Sequence, residues 1–336
     1  MVIIKSKMIC IVKIFVILIF LYTLTLCGSN DRDIDIDQKS DRPLIGKKIA
    51  LADPFILLFN DLYYAYGTGA NNGIKVMVSS DLKYWSKGKG KADEGLALHK
   101  NDVFGDKWFW APEVYHVDGE FIMYFSSEEH TCAAISDSPL GPFVQTVKKP
   151  MIEREKSIDN TLFIDDDGKK YMFFDRFDGG LNICVAELND DCMSIKGPVV
   201  SCIRVSQDWE RVWPTVNEGC FVIKHNGTYY MTYSANSYES QSYGIGYAVA
   251  TSPFGPWTKY PDNPILQKPG DLVGVGHSAM FYDKNGQLKI VFHAHHSKKS
   301  IHPREMYISD VTFIPVNGAP DRLVISDKYM TPLEVE

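Results

Sequence analysis

The sequence predicts an all-β fold, specifically a five-bladed β-propeller, from three observations. First, a pattern of apolar segment, tight turn and strongly β-prone segment recurs five times along the chain. Second, the 17 Pro and 25 Gly are spread evenly, which disfavours long helices. Third, the turns lie 58, 49, 59 and 59 residues apart, a spacing that suits sheets of three or four strands arranged as blades. A β-sandwich would also contain many short strands, but it would not repeat one motif at this interval.

The first 27 residues have the features of an export signal. Lys5 and Lys7 precede an apolar run over residues 14–26, which is shorter than the roughly 17–25 residues that a membrane-spanning helix needs. The run ends at Leu26-Cys27-Gly28, which resembles a bacterial lipoprotein signal in which Cys27 carries the lipid. The alternatives are a simple secretory signal and an uncleaved anchor. We therefore expect an exported protein, a periplasmic or cell-surface lipoprotein anchored to the outer membrane.

Residues 28–44 are expected to form a flexible tether, and residues 45–336 a single propeller domain. The tether contains the acidic and unpatterned stretch 30–37, which is typical of a solvated linker. Over the whole chain, 35 Lys+Arg stand against 42 Asp+Glu, for a formal charge of -7. Because phosphate binding requires a basic surface, this balance argues against a nucleic-acid partner.

Each repeat is built around a hairpin turn followed by a strand. Four of the five turns are Asp-Gly or Asn-Gly pairs, which supply the positive φ that a tight hairpin needs. The turns are Asn60-Asp61, Asp118-Gly119, Asp167-Gly168, Asn226-Gly227 and Asn285-Gly286. The β-prone runs that follow them are residues 62–66, 121–125, 171–174, 229–233 and 288–292.

Counting back from these turns places ionisable residues at one equivalent position in four repeats. Asp159, Glu218 and His277 each lie eight residues before the turn, and Asp53 lies seven before it. Because the first strand of each blade starts near the propeller axis, these residues are expected to ring one mouth of the central channel. In the second repeat Glu113 lies five residues before the turn, so its register differs.

Carboxyl groups that converge in a cleft raise one another's pKa, because like charges and partial desolvation disfavour ionisation. A protonated and an ionised carboxyl in one cleft are what general acid–base catalysis requires, and glycoside hydrolysis uses such a pair. A single acidic residue at a strand start is most often a turn or cap contact. Three of them at equivalent positions, together with a His, favour a catalytic site.

At these positions the sequence resembles glycoside hydrolase family 43, over residues 45 to 315. The matching fragments are Ala52-Asp53-Pro54-Phe55, Trp110-Ala111-Pro112-Glu113-Val114, Ser157-Ile158-Asp159-Asn160, Asn217-Glu218-Gly219 and Gly276-His277-Ser278. The resemblance implies a five-bladed propeller that hydrolyses arabinofuranosyl, xylosyl and sometimes galactosyl linkages with inversion. It implies Asp53 as general base and Glu218 as general acid. It also implies Asp159 as the third carboxylate, which raises the pKa of the acid and orients it.

The resemblance also implies two sugar-binding residues. His277 would lie at the floor of the pocket and Arg304 would hydrogen-bond the sugar. Trp110 is predicted to stack on a sugar face, with packing in the core as the alternative. No cofactor or metal is expected to be required. A structural calcium ion near His277 stays open, although residues 274–278 supply no carboxylate ligand.

Neither the cysteines nor the clustered histidines predict a zinc site. The cysteines beyond the tether show no C-x-x-C spacing and are expected to be small buried hydrophobes; they are Cys132, Cys184, Cys192, Cys202 and Cys220. His293, His295 and His296 have no Cys or carboxylate at ligand spacing, so they are expected to pack as polar residues or to form a pocket wall.

The sequence thus predicts a glycosidase that removes terminal α-L-arabinofuranosyl or β-D-xylosyl residues from plant-type polysaccharides or oligosaccharides by an inverting acid/base mechanism. The same residues are consistent with three alternative functions. One is an endo-arabinanase, or a galactosidase or galactofuranosidase, of the same family. The second is a surface glycan-binding lipoprotein without activity, and the third is a protein-binding scaffold. The expected partners are the glycan substrate and, through a lipid on Cys27, a membrane.

Overall fold

The computed structural model describes residues 46–336, and these residues fold almost entirely into β-strands. The predicted signal peptide, residues 1–27, and the predicted tether, residues 28–44, lie outside the described residues, as does Cys27. Within the described residues the helices are three short 3-10 turns, namely Asp93–Gly95, Lys100–Asp102 and Asp208–Arg211. In the same part of the chain, no helix is long and apolar enough to cross a membrane.

The strands of the described residues form five sheets, numbered here in chain order. Sheet 1 contains β1 (Lys47–Lys48), β2 (Ala52–Phe59), β3 (Leu62–Thr68), β4 (Gly73–Ser79), β5 (Tyr84–Lys87) and β6 (Leu98–His99). Sheet 2 contains β7 (Trp110–Val117), β8 (Glu120–Ser127) and β9 (His130–Ser136). Sheet 3 contains β10 (Ser157–Ile164), β11 (Lys170–Phe177), β12 (Leu181–Leu188) and β13 (Ile195–Ile203). Sheet 4 contains β14 (Asn217–His225), β15 (Thr228–Ala235), β16 (Gly244–Ala250) and β17 (Thr258–Lys259). Sheet 5 contains β18 (Gly276–Tyr282), β19 (Leu288–Ala294), β20 (Glu305–Ile314) and β21 (Arg322–Met330). The last strand, β22 (Leu333–Glu334), returns to sheet 1.

The molecule is an all-β propeller, as predicted, but the number of complete blades is four rather than five. Sheets 1, 3, 4 and 5 each have at least four strands, whereas sheet 2 has three. The segment after β9 makes one isolated bridge, between Ile135 and Val144, and one further backbone hydrogen bond, from Met151 N–H to Thr131 O (2.8 Å). A single bridged pair does not make a strand, whereas the corresponding segment of sheet 4 pairs two residues with β16 and forms β17, although it contains Pro253 and Pro256.

The first strands of the five sheets contact one another in a closed ring. β2 contacts β7, β7 contacts β10, β10 contacts β14, β14 contacts β18, and β18 contacts β2 again. The chain ends reinforce this closure, because β22 pairs with both β1 and β5 at the outer edge of sheet 1. The first strands therefore surround one axis, as the sequence pattern predicts.

Every first strand is interrupted by a β-bulge near its start. In each bulge one residue has positive φ, which is the left-handed conformation expected of such bulges. These residues are Asp53 (47°), Ala111 (43°), Asp159 (56°), Gly219 (57°) and His277 (47°). Four of the five are not glycine, and non-glycine residues in this conformation concentrate at functional sites.

A hydrogen bond from each bulge residue links its sheet to the preceding one. The bulge N–H donates to a side chain on the second strand of that neighbouring sheet. The five bonds are Ala111 to Thr68 Oγ1 (2.9 Å), Asp159 to Ser126 Oγ (3.0 Å), Gly219 to Asp175 Oδ2 (2.9 Å), His277 to Ser234 Oγ (2.8 Å) and Asp53 to His293 Nδ1 (3.2 Å). The ring of bonds closes on itself, so it holds the strained bulges in register around the axis.

Apolar side chains fill the spaces between neighbouring sheets. Phe173 and Phe174 are adjacent on β11 and fully buried, and alternation along the strand sends them to opposite faces. Phe173 packs towards sheet 4 with Tyr233, and Phe174 packs towards sheet 2 with Tyr124. Burial of each such side chain contributes about 1.5–3 kcal/mol, so one strand stabilises two interfaces.

The cysteines of the described residues are free, and all but Cys202 are buried, as the sequence predicts.

Candidate active site

The six predicted site residues come together in one cavity of about 390 Å³. They are Asp53, Trp110, Asp159, Glu218, His277 and Arg304. The remaining wall is formed by Thr68, Ile158, Phe177, Leu181, Tyr238, Tyr243 and His302. The volume falls within the usual range of small-molecule pockets, about 300–1,000 Å³, and aromatic and aliphatic side chains alternate with the polar ones, as in sugar-binding sites.

The register predicted for the carboxylates is wrong by one residue at Glu218. Asp53, Asp159 and His277 occupy the bulge position, but in sheet 4 that position belongs to Gly219. The cause is hairpin length: the turns of sheets 3 and 5 have five-residue loops, whereas the others have two-residue loops. A count of eight residues back from the turn therefore reaches the bulge residue in sheets 3 and 5 but reaches the residue before it in sheet 4. Glu218 is the last paired residue before its bulge, opposite Ser234, and it still lines the cavity.

Gly219 is required beside Glu218 for two reasons. Its φ of 57° disfavours a side chain. A Cβ at this position would also lie 2.8 Å from Nδ1 of His277. The glycine thus lets the first strand of sheet 4 approach the His277 ring closely while Glu218 enters the pocket. In the second repeat the bulge residue is Ala111, and Glu113 is buried behind the strand with Tyr115 rather than in the cavity.

Asp53 is held in its ionised form. Arg304 contacts both of its carboxylate oxygens, with Nη1 at 2.7 Å from Oδ1 and Nη2 at 3.3 Å from Oδ2. Burial alone would raise the pKa of Asp53, but the charge of Arg304 holds the pKa well below its usual value. Burial lowers the pKa of His293 to about 3, so this His is neutral and can accept the Asp53 N–H. Asp53 is therefore a carboxylate at neutral pH.

Glu218 is held near the protonated form. Burial and the charge of Asp53 raise its pKa, a hydrogen bond from Tyr243 Oη (2.8 Å) and the charge of Arg304 lower it, and the net result is a pKa of about 7. Tyr243 is fixed because its ring packs directly on Gly276, where a Cβ would lie 2.1 Å from the ring. The pocket thus contains one ionised and one protonated carboxyl at neutral pH, which is the pairing that acid–base catalysis needs.

Asp159 also has a raised pKa. The largest cause is burial, followed by the charges of Glu218 and Asp53. The charge of Asp159 is not among the causes that raise the pKa of Glu218, where burial dominates. The role of Asp159 as the residue that raises the pKa of the acid therefore stays a prediction. Its place beside Glu218 and 3.8 Å from His277 Nδ1 is compatible with an orienting role.

The predicted sugar-binding residues lie on different walls. His277 has its Nδ1 3.5 Å from Asp53 Oδ1, and burial lowers its pKa, so it is neutral. Arg304 is ion-paired with Asp53, and its guanidinium carbon lies 4.5 Å from the centre of the Tyr238 ring. Trp110 is half-buried and stacks on the exposed Trp108, with ring centres 5.6 Å apart. Contact of these three residues with a sugar stays a prediction.

No group of three or more His, Cys, Asp or Glu in residues 46–336 is arranged to hold a metal ion. Among the described residues, the carboxylates near His277 Nδ1 are those of Asp53, at 3.5 Å, and Asp159, at 3.8 Å. A calcium ion near His277 stays an untested expectation.

Tyr243, Tyr238 and the residues that accept the bulge hydrogen bonds also belong to the site or support it, and they were not predicted from the sequence. A signal for the latter was present. In all five repeats a residue able to accept a hydrogen bond lies eight positions after the first residue of the turn: Thr68, Ser126, Asp175, Ser234 and His293. Tyr243 and Tyr238 lie in the region between β15 and β16 that has no counterpart motif in the other repeats, so no pattern indicates them.

Comparison with known proteins decides the family. The family model described as "Glycosyl hydrolases family 43" matches residues 42–315, which is most of the chain. The chain is a member of glycoside hydrolase family 43.

Solved structures and curated proteins of this family resemble the chain over most of its length. A crystal structure named as an endo-1,4-β-xylanase from Bacteroides thetaiotaomicron is 43% identical, with a TM-score of 0.81, and the match covers 88% of this chain and 100% of that one. A thermostable family-43 glycoside hydrolase is 37% identical with a TM-score of 0.74, covering 85% and 96% of the two chains. A β-D-galactofuranosidase of Aspergillus niger is 28% identical, covering 72% of this chain and 73% of the relative. An arabinoxylan arabinofuranohydrolase of Paenibacillus polymyxa is 26% identical; the match covers 83% of this chain but only 50% of that longer protein.

Tyr243→Phe is expected to shift the basic limb of the pH–rate profile of this family-43 enzyme to higher pH. The hydrogen bond from Tyr243 lowers the pKa of Glu218, so its loss raises that pKa above about 7 and keeps the acid protonated further into the alkaline range. The measurement is kcat/KM against pH. Tyr233→Phe is the matched control, because Tyr233 is a buried tyrosine of the neighbouring strand β15 that donates to Glu210 outside the cavity. A basic limb that moves in both variants, or in neither, would contradict the assignment.

Proposed function

We propose that the enzyme removes terminal α-L-arabinofuranosyl or β-D-xylosyl residues from plant-type polysaccharides or oligosaccharides with inversion of configuration. The observation that carries this proposal is the pairing of an ionised Asp53 with a protonated Glu218 in one cavity of about 390 Å³. The small volume favours one or two sugar units rather than a long groove. Asp53 and Glu218 together supply both proton transfers of an inverting hydrolysis.

In the proposed reaction, Glu218 gives its proton to the glycosidic oxygen as the bond to the anomeric carbon breaks. Asp53 takes a proton from a water molecule, whose oxygen attacks the anomeric carbon from the opposite face. The products are a sugar hemiacetal of inverted configuration and a free alcohol on the remaining chain. Arg304 keeps Asp53 ionised before the reaction, and the neutral His277 adds no positive charge that would lower the basicity of Asp53.

The test is hydrolysis by the purified protein of aryl α-L-arabinofuranoside, β-D-xyloside, β-D-galactofuranoside and β-D-galactoside, with Asp53→Asn as the blank. We expect one pentoside to be cleaved well above the others. Proton NMR of the first product would show the inverted anomer. Cleavage of a galactoside alone would show that the enzyme removes a galactosyl residue rather than a pentosyl residue. Retention of configuration would contradict the inverting mechanism.

An endo-acting enzyme is the second candidate, because the relative of 43% identity is named as an endo-1,4-β-xylanase. Arabinan and xylan distinguish the two modes. An exo-acting enzyme releases monosaccharide while the viscosity of the polymer barely falls, whereas an endo-acting enzyme lowers viscosity early and releases oligosaccharides. Glycan binding without release of any sugar, by folded protein, would favour the non-catalytic alternative.

We also propose that the three-stranded sheet 2 is the fifth blade of the propeller. The ring of five bulge hydrogen bonds supports this, because Ala111 of sheet 2 takes its place in the ring as the other four sheets do.

For the N-terminus we propose export and attachment to a membrane through a lipid on Cys27. The support is the sequence pattern alone. Labelling of cells with a radioactive fatty acid should mark the wild-type protein and not Cys27→Ser, and a label in neither protein would leave a simple secretory signal in its place.

A further inference from the structure

Asp175 is a fully buried carboxyl that the proposed mechanism does not use. It lies on β11 opposite Ile158, the residue immediately before Asp159. Its Oδ2 accepts the N–H of Gly219, the residue immediately after Glu218, at 2.9 Å. Asp175 is therefore adjacent in structure to two of the three pocket carboxyls, although it does not itself line the cavity.

The other oxygen of Asp175 lacks a partner. Oδ1 is buried and accepts no hydrogen bond from any described residue. The equivalent positions in the other sheets carry Thr68, Ser126, Ser234 and His293, which fulfil the same link to the next sheet without a negative charge. A hydroxyl is thus sufficient for the structural link, and a buried carboxylate with an unpaired oxygen is costly. The structural link alone does not account for an aspartate here.

We propose that Asp175 is a positioning residue that holds one proton jointly with Asp159 and so keeps Asp159 as a hydrogen-bonded carboxylate beside the general acid. In this arrangement the Oδ1–H of a neutral Asp175 donates to the ionised Asp159, and the pair carries one negative charge in all. The inference rests on the proposed function, because it assigns Asp175 to the same active site.

The charges around the pair agree with one shared proton. Burial, then the charges of Asp159 and Glu218, raise the pKa of Asp175 well above its usual value. Asp159 faces Glu218, Asp53 and Arg304 as well, and the contact with Asp175 is one of the causes that lower its pKa. The thiol of Cys220 also faces Asp175, but burial keeps its pKa well above the usual value, so it stays neutral. Within residues 46–336, no Lys or Arg forms an ion pair with Asp175 that would hold it ionised.

Two substitutions separate proton sharing from a structural link. Asp175→Asn keeps both contacts, because its oxygen accepts the Gly219 N–H and its NH₂ donates to Asp159. Asp175→Ser keeps only the link to Gly219, as Ser126 and Ser234 do in their sheets. We expect the Asn variant to retain the wild-type pH–rate profile. The Ser variant is expected to lose about tenfold in kcat, with a pH window narrowed by roughly one unit, because Asp159 loses its donor and takes up the proton itself. A Ser variant with wild-type kcat and pH profile would show that Asp175 is only a structural link.

A second measurement does not depend on activity. A carboxyl whose pKa is raised by folding contributes fully to stability at low pH, and the contribution is lost as pH rises through its folded-state pKa. Relative to wild type, full-length Asp175→Asn should therefore gain unfolding temperature steadily from pH 5 to pH 9. A constant difference across this range would overturn the protonated state of Asp175. Because this experiment needs no substrate, it distinguishes failure of the inference from failure of the proposed function.

Discussion

Glu218→Gln is expected to lower kcat on natural, unactivated glycans by roughly 10²–10⁴-fold, the usual contribution of a general acid. The amide has no proton to transfer, but its oxygen still accepts the hydrogen bond that Tyr243 donates to Glu218 Oε1 at 2.8 Å. The fold should be unaffected, and the basic limb near pH 7 should disappear because the group that titrates there is gone. The measurement is reducing-sugar release from arabino- or xylo-oligosaccharides across the pH range.

The leaving group provides the sharper comparison. An aryl glycoside with an acidic phenol departs without protonation, so Glu218→Gln should lose far less on it than on natural glycans. Glu113→Gln is the matched control: Glu113 is also buried and its pKa is raised to about 8, yet it does not line the cavity. Its activity should stay close to wild type. Equal losses on both kinds of substrate would refute Glu218 as the acid.

Asp53→Asn is expected to abolish turnover on activated and unactivated substrates alike, because the water must lose its proton whatever the leaving group. The loss should be at least 10²–10⁴-fold. The backbone tolerates the change, since asparagine readily adopts the positive φ of 47° found at this bulge. Arg304, however, is buried and loses its charged partner. Breaking a buried ion pair costs about 3–5 kcal/mol, so the unfolding free energy should fall as well.

Thermal unfolding and sugar binding separate these two effects of Asp53→Asn. We expect a lower unfolding temperature with a folded state that still binds free pentose at 25 °C. Asp165→Asn is the control for stability, because it removes an ion-paired carboxylate, 2.7 Å from Lys224, outside the cavity. It should lose stability without losing activity. If folded Asp53→Asn turned over activated substrate at the wild-type rate, Asp53 would not be the base.

Those site residues that belong to the repeat could be predicted from the sequence, and those outside it could not. Asp53, Asp159 and His277 lie at one repeated position on strands whose start the hairpin turns define, so a count along the chain finds them. The count fails by one at Glu218 because three hairpin loops have two residues and the other two have five, and no turn dipeptide reveals the loop length. Tyr243, which adjusts the acid, lies outside the repeated pattern and comes to Glu218 only through tertiary folding.

The number of complete blades differs from the prediction for a related reason. The second repeat has the turn and the strands that the pattern requires, so it counts as a repeat in sequence. Whether a fourth strand joins depends on how many residues of the following segment pair with the third strand: two pair in sheet 4, whereas a single bridge joins Val144 to Ile135 in sheet 2. Strand pairing is a property of two segments, and a pattern read along one segment does not decide it.

The sequence by itself determined the all-β propeller, the repeat and the identity of the pocket carboxyls, because period-two apolar strands and hairpin turns are local features. Only the tertiary structure decided the protonation states. Asp53 and Glu218 are both acidic side chains near a strand start. Asp53 faces Arg304 of the last sheet, whereas Glu218 faces Tyr243. Because pKa depends on burial and on charges brought close by the closed ring, the different pKa values of the two carboxyls arise only in the folded molecule.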